Sequence, residues 1–216
     1  DGLWRPAPGA TPASGNYLYA TGSLLPRDPV SFLALGDAVD GGRVPAADDH
    51  SYGEHVGIGA TSAGEQVGVE VWAPARTAGL EIGYYDDLDG PASSNPVTGG
   101  LAATSNDYPC EGTIDSWFAI DELTRVGVDI THIRFRFERT CDHWYDGGVH
   151  ADVIRGEVDW TARPTISDVY PSSGERRGGA LLGFNGSDLV GITAATVGGV
   201  PATVQHDVFG QLQVVA

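Results

Sequence analysis

Seven consecutive residues, 132–138, alternate between apolar and polar or charged side chains, and this alternation constrains the fold more than any other feature of the chain. On a β-strand it gives each face its own set of side chains, with Ile133, Phe135 and Phe137 on one face and Arg134, Arg136 and Glu138 on the other. A helix of the same sequence would scatter the apolar side chains around its axis. The segment therefore predicts a strand with one buried face and one charged face.

A second alternating run follows at 154–160. Its charged residues Arg155, Glu157 and Asp159 alternate with Ile154, Gly156, Val158 and Trp160. Placed beside the first run, these three residues would line one sheet face with the charged residues of 134–138. We expect cross-strand ion pairs on a solvated face, each contributing little to stability, with a basic binding patch as the alternative.

Shorter runs of the same kind predict further strands at 17–19, 31–35, 67–72, 80–84 and 116–120. Turn signals separate them, since 31 Gly and 13 Pro make up about a fifth of the 216 residues. Only 121–126 has a helical pattern, and it is short. The chain is therefore predicted to be all-β.

Changes in composition predict the domains. Residues 1–16 are rich in Pro, Ala, Gly and Ser, which is typical of a linker or arm, and Trp4 either docks on the body or stays in a solvated tail. Residues 17–162 carry the strand pattern, which we interpret as a jelly-roll-like β-sandwich. The pattern breaks at 161–164, and a second domain is expected over 163–216.

The charge balance excludes two classes of partner. With 29 acidic and 12 basic residues the formal net charge is −17. Nucleic-acid binding depends on neutralising phosphates with basic residues, and binding to anionic membranes depends on clusters of basic residues. The acidic excess therefore argues against both nucleic acids and anionic membranes as partners. No run approaches the roughly 18 apolar residues that a membrane span needs, so we also expect no membrane insertion.

The second domain resembles an IPT/TIG module, an immunoglobulin-like β-sandwich. The resemblance rests on motifs in matching order and spacing, which are Pro164-x-Ile166, Tyr170-Pro171-Ser172-Ser173-Gly174, Gly178-Gly179, Gly186-Ser187-Asp188-Leu189 and Val197-Gly198-Gly199-Val200-Pro201-Ala202. Gly198-Gly199 is also typical of a tight hairpin. The sequence stops at Ala216, before the module's closing strand or strands, so the resemblance implies an incomplete sandwich with an open edge.

The two cysteines, Cys110 and Cys141, are an even number in a chain of extracellular character, which favours a disulfide over two buried thiols. The first domain resembles secreted bacterial β-rich modules of unassigned function, through motifs that include Ala73-Pro74, Gly83-Tyr84-Tyr85, Trp117-Phe118 and Arg155-Gly156-Glu157-Val158. Cysteines stand at matching places in those modules. The resemblance implies an extracellular or cell-surface location and supplies no catalytic residues.

The segment after the second cysteine is the leading candidate binding site. It reads Cys-Asp-His-Trp-Tyr-Asp-Gly-Gly, so Asp142, His143, Trp144, Tyr145 and Asp146 would lie together in a Gly-ended loop beside the disulfide. Aromatic rings stack on the apolar faces of sugars, and carboxylates accept hydrogen bonds from hydroxyl groups. The alternative is that both rings cap the end of the sandwich and pack on the cystine.

A second acidic cluster, Asp86, Asp87 and Asp89, precedes a glycine and suggests a weak Ca²⁺ site, against the alternative of a solvated acidic turn. No other cofactor is indicated. The cluster Asp142, His143, Asp146, His150 and Asp152 contains groups able to act as general acid and base. No nucleophile elbow, phosphate loop or zinc-protease motif accompanies it, and we do not expect an enzyme.

Three functions follow in order of preference. The first is a secreted or cell-surface, non-catalytic module for adhesion or ligand binding, with a polysaccharide or surface glycan as the leading ligand. The second is a structural subunit of an extracellular assembly or appendage, which self-associates through the open edge of the IPT/TIG-like domain. The third is a glycosidase or the accessory domain of one, acting through Asp142 or Asp146.

Overall fold

A computed structural model of the chain describes most of its residues. The described backbone covers 2–25, 31–44, 54–74, 77, 79–88, 98–106, 112–145, 148–172, 179–187, 189–206 and 211–215. Within these ranges, side chains are described except at 43–44, 112–114, 143–145, 148–150, 187 and 190.

The described residues form fifteen β-strands and two single-turn 3-10 helices, Gly36–Ala38 and Leu189–Gly191, with no α-helix among them. Every described strand pairing is antiparallel. The prediction of an all-β, sandwich-type fold is confirmed.

The chain divides into two compact units. The first unit comprises Asp1–Thr124 and His132–Thr161. The second comprises Ala162–Ala216 together with Arg125–Thr131, the tip of a long hairpin whose strands start in the first unit. A main-chain hydrogen bond of 2.9 Å from Ala162 N to Thr131 O ties the two segments of the second unit together.

Two sheets make up the first unit. The six-stranded sheet has the order β2 (Ser31–Leu35), β1 (Tyr17–Thr21), β10 (Gly148–Thr161), β9 (Asp129–Tyr145), β8 (Gly112–Val126) and β6 (Gly83–Tyr85). The four-stranded sheet has the order β3 (Val39–Val44), β4 (His55–Ser62), β5 (Glu65–Trp72) and β7 (Gly100–Ser105). The sheets meet face to face: a Cβ on Gly41 of β3 would lie 3.1 Å from the indole nitrogen of Trp160 on β10.

The core of the sandwich lies on the predicted face of β9. Ile133, Phe135 and Phe137 are fully buried, as are Ile154 and Val158 on the neighbouring strand. The register explains why, because Phe135 lies opposite Val158, with Leu18 next to it on β1. At about 25 cal/mol per Å² of apolar surface, such a row of aliphatic and aromatic side chains is the main stabilising contribution to this unit.

Two strand predictions need correction. Residues 121–126 are not helical; they continue β8 as an extended strand, because pairing with β9 satisfies the backbone there. The run at 80–84 was predicted as one alternating strand, but only Gly83–Tyr85 forms strand β6. Leu80 is buried, and its amide donates a hydrogen bond to the carboxylate of Glu54 at 2.9 Å, a polar contact in place of strand pairing.

The second unit contains a five-stranded sheet of order β11 (Thr165–Tyr170), β12 (Leu181–Ser187), β15 (Leu212–Val215), β14 (Val200–His206) and β13 (Ala195–Val197). The predicted tight hairpin is confirmed: Val197 pairs with Val200 across two glycines with φ of +58° and +84°. Of the described residues in this unit, few are buried, namely Ile130, Leu189, Leu212 and Val214.

Candidate functional site

The outer face of the six-stranded sheet of the first unit collects charged and aromatic side chains, and we call it the charged face. Strand register defines it, since Tyr19 lies opposite Glu157 and Glu157 lies opposite Arg136, all on the side away from the core. Across the sheet, the face comprises Tyr17 and Tyr19 on β1, Arg155, Glu157 and Asp159 on β10, Arg134, Arg136 and Glu138 on β9, Trp117 and Asp121 on β8, and Tyr84 on β6.

Arg136 anchors the centre of this face. Its side chain is only 1% exposed, and it donates two hydrogen bonds to the carboxylate of Asp121, at 2.7 and 2.8 Å. A third donor reaches the main-chain oxygen of Trp4 at 3.1 Å. Burial raises the pKa of Asp121, but the hydrogen bonds and charge of Arg136 outweigh it and hold that pKa below its ordinary value.

Glu157 forms a second buried centre beside Arg136. It accepts a hydrogen bond from the hydroxyl of Tyr17 and another from Arg134 at 3.1 Å. Burial, the hydrogen bond to Glu157 and its negative charge raise the pKa of Tyr17. The solvated face predicted from the sequence is therefore wrong for Arg136 and Glu157, which are 1% and 3% exposed. Both side chains are buried and hydrogen-bonded to neighbouring strands of the face.

The first aromatic cluster lies over β1 and β10. The ring of Trp4 stacks on Tyr19 with parallel planes (2°) and centroids 6.4 Å apart. The guanidinium of Arg155 lies 5.9 Å from the Trp4 ring centroid, within cation–π range. Trp4 is half-buried, so it docks on the sheet and does not remain in a solvated tail.

The second aromatic cluster lies at the opposite edge, on β6 and β8. Tyr84 is the strand partner of Ala119, and its ring contacts Trp117 with centroids 6.0 Å apart. Tyr84 is 50% exposed, whereas Trp117 is largely buried beneath it. Partial burial, with the negative charges of nearby Asp86, Asp115 and Glu138, raises the pKa of Tyr84, so its hydroxyl is a neutral donor at physiological pH.

Between the clusters the face is polar, and partly exposed charged groups flank the buried Arg136 and Glu157. Arg155 and Glu138 form an ion pair at 3.4 Å, with side chains 40% and 29% exposed. Arg134 and Glu122 pair at 3.4 Å nearby. These groups offer both donors and acceptors to a ligand lying on the face, while the aromatic rings offer apolar surface.

The predicted binding segment is arranged differently from the expectation. Residues 142–145 were predicted as a loop, but their backbone belongs to the end of β9 and pairs with β10, with Asp142 opposite Ala151 and Trp144 opposite Val149. The predicted loop is therefore wrong, because the backbone of β9 continues as a strand through Cys141 to Tyr145.

Of the predicted binding residues, only Asp142 has a described side chain. Strand alternation places it on the charged face, and its Oδ1 is buried with no hydrogen-bond partner in the described part of the chain. The side chains of His143, Trp144 and Tyr145, and all of Asp146, lie outside the described residues. The ligand-binding role of this segment stays a prediction.

The acidic cluster suggested for Ca²⁺ is only partly described. Asp86 and Asp87 are exposed, and Asp87 has a left-handed φ of +53°, while Asp89 lies outside the described residues. Over the described ranges, no group of three His, Cys, Asp or Glu side chains is arranged to hold a metal ion. The Ca²⁺ site stays a prediction.

Of the two cysteines in the predicted disulfide, one lies among the described residues. Cys141 is buried beside the core, at 1% exposure, and Cys110 lies outside the described residues. The disulfide stays a prediction.

The sequence analysis did not identify the aromatic residues of the charged face as candidate binding residues. Trp4 is hidden in a segment of linker composition, and Tyr84 and Trp117 belong to strands whose pairing a sequence does not give. One signal was present: alternating charges on 134–138 and 155–159 predicted a common face, and that face is where the aromatic rings gather.

A comparison with protein-family models, with curated proteins and with solved structures finds no match to this chain. The resemblances to IPT/TIG and to secreted β-rich modules therefore stay predictions. Among the described residues, no helix has the length and apolarity to cross a membrane.

Proposed function

We propose that this protein is a secreted or cell-surface, non-catalytic module that binds carbohydrate on the charged face of its first unit. The observation that supports the proposal is the pair of aromatic clusters, Trp4 with Tyr19 and Tyr84 with Trp117, at the two sides of one polar sheet face. The extracellular location rests on the sequence, through the predicted pairing of Cys110 with Cys141.

The chemistry of the face suits sugars. The C–H faces of a sugar ring pack on aromatic rings, and its hydroxyl groups both donate and accept hydrogen bonds. Glu138 supplies acceptors and Arg155 supplies donors, both partly exposed. The buried Arg136 and Glu157 beneath them keep the face in one arrangement, which lowers the entropy cost of binding.

The charge of the first unit narrows the ligand class. The second unit contains five acidic and four basic residues, so the first unit holds 24 of the 29 acidic and 8 of the 12 basic residues. Such a unit repels polyanions at low salt. A neutral glycan is therefore favoured over a sulfated or uronic-acid polysaccharide.

A glycan array tests the proposal directly. We expect the full chain to bind a subset of neutral glycans, and both Trp4→Ala and Tyr84→Ala to weaken that binding at least tenfold. The matched control is Tyr170→Ala, which removes a tyrosine that is 75% exposed in the second unit and should leave binding unchanged. Silence across the array, or equal losses in all three variants, would overturn the proposal.

A second candidate function is supported by a different observation. Six of the ten large apolar side chains exposed among the described residues belong to the second unit, which contains less than a third of the chain; they are Val126, Val128, Ile166, Tyr170, Leu181 and Val200. Two of them lie on β11, an edge strand of the five-stranded sheet. Exposed edges with apolar side chains pair with other chains, as a structural subunit of an assembly requires.

Light scattering after size-exclusion chromatography distinguishes this second candidate. A structural subunit forms concentration-dependent oligomers that Ile166→Lys abolishes, because a charged side chain on an edge strand opposes pairing with another chain. The control is Leu33→Lys, on edge strand β2 of the first unit. A chain that stays monomeric at high concentration contradicts the subunit function and leaves the carbohydrate proposal untouched.

A further inference from the structure

We propose that the N-terminal arm is part of the binding site and that the ligand is an extended oligosaccharide long enough to contact Trp4 and Tyr84 at the same time. This inference rests on the proposed carbohydrate function. It adds the role of the arm and the length class of the ligand.

The separation of the two clusters sets the ligand length. Tyr19 lies on β1 and Tyr84 on β6, and the sheet order β1-β10-β9-β8-β6 puts four strand spacings between them. At about 4.8 Å per spacing, the clusters are roughly 19 Å apart across the strands. A mono- or disaccharide reaches one cluster only, whereas a longer chain running across the strands reaches both.

The arm holds Trp4 as a fixed platform. Tyr19 and Arg155 both project from the charged face, because Tyr19 lies opposite Glu157 and Arg155 is two residues before it. Both contact the Trp4 ring, Tyr19 through the parallel stack and Arg155 through the cation–π contact. Arg136 fixes the main chain at the same residue. Trp4 is half-buried, so part of its side chain stays exposed, and a sugar ring would pack there.

The path between the clusters is lined by groups that match hydroxyls. Arg155 contacts the Trp4 ring of the first cluster and pairs with Glu138 on the next strand, β9, which lies towards the second cluster. A glycan chain lying between the rings would exchange its water contacts for these polar groups.

Two contacts on one ligand make affinity depend on length. Once one cluster is occupied, the second sugar contact forms intramolecularly, at a high effective concentration, and the gain is on the order of 100-fold. Shorter ligands do not have this gain. Removing the ring of Trp4 or of Tyr84 abolishes the affinity gain of the longer ligands and leaves the single contact at the other cluster unchanged.

Isothermal titration of the full chain with mono- to hexasaccharides of cello-, xylo-, malto- and chitin-type chains tests the inference. For the series that binds, we expect affinity to rise steeply once the chain spans both clusters. Trp4→Ala should remove this rise while leaving short-chain affinity at the Tyr84 cluster within about twofold. Trp4→Phe should restore most of the rise, since it keeps a ring on Tyr19, and Tyr170→Ala should behave as the unmodified chain.

The outcomes separate the two proposals. If no oligosaccharide binds, the carbohydrate function itself fails. If oligosaccharides bind with no dependence on length, or if Trp4→Ala weakens all lengths equally or none, then carbohydrate binding stands and the role of the arm is overturned. Unchanged melting of Trp4→Ala, followed by circular dichroism, confirms that a loss is not caused by unfolding.

Discussion

Replacing Arg136 by Met tests whether the buried centre of the charged face holds the first unit together. The substitution keeps a side chain of similar length and removes two charge-assisted hydrogen bonds to Asp121 and one to the Trp4 carbonyl. Breaking a buried pair costs about 3–5 kcal/mol, and Asp121, at 29% exposure, regains part of its hydration. We therefore expect a loss of about 3 kcal/mol.

The assay is thermal and urea unfolding of the full chain at pH 7. For a unit of this size, about 3 kcal/mol corresponds to a fall in Tm of roughly 6–12 °C. The control is Arg155→Met, which removes an exposed ion pair of 3.4 Å and one cation–π contact, and should cost no more than about 1 kcal/mol. Equal losses in the two variants would refute the argument that burial makes the Arg136 contacts strong.

The same pair predicts a pH dependence. The folded-state pKa of Asp121 lies below its ordinary value of 3.8, so its contribution to stability is present above that value and is lost as the pH falls through the folded pKa. The difference between the unmodified chain and Arg136→Met should therefore be constant near neutral pH and shrink below about pH 4. A difference that grows on acidification would contradict the sign of this shift.

Three further predictions concern the rest of the chain. A methyl group at Gly156 would overlap a main-chain oxygen of β1 and an aromatic ring of β9, so Gly156→Ala should lower the Tm by more than 10 °C, whereas Gly59→Ala, with open space around it, should be near neutral in the same melting assay. Intact mass under non-reducing conditions should show two hydrogens fewer than after reduction, as a Cys110–Cys141 disulfide requires; equal masses would leave two thiols. Burial lowers the pKa of His55, so the midpoint of its ¹H NMR titration should fall below 6.5, and the stability of the folded chain should decrease as the pH falls through 6.5. A midpoint above 6.5 would contradict this prediction.

Much of the fold was predictable because its signals are local. The alternation at 132–138 depends only on the two-residue period of a strand, and the structure buries each apolar member of that run. The hairpin at Gly198-Gly199 follows in the same way, because few residues other than glycine adopt two successive positive φ angles.

The candidate site was not predictable because its parts are distant in sequence. Arg136 is 132 residues from the Trp4 carbonyl that it binds, and no period or motif connects them. The same contact explains why Arg136 is buried although its strand pattern predicted a solvated face: the arm lies over it. The segment 142–145 was misplaced for the opposite reason, since its composition resembled a loop while its backbone continued a strand.

Hydroxyl-radical footprinting of the full chain, with and without the oligosaccharide that binds most tightly on the array, tests the central claim most directly. The method reports the solvent exposure of individual aromatic side chains. We expect Trp4 and Tyr84 to be protected together by the ligand, and Tyr170 in the second unit to be modified equally in both samples. Protection confined to 144–145 or to the second unit, with Trp4 and Tyr84 unchanged, would contradict the assignment of carbohydrate binding to the charged face.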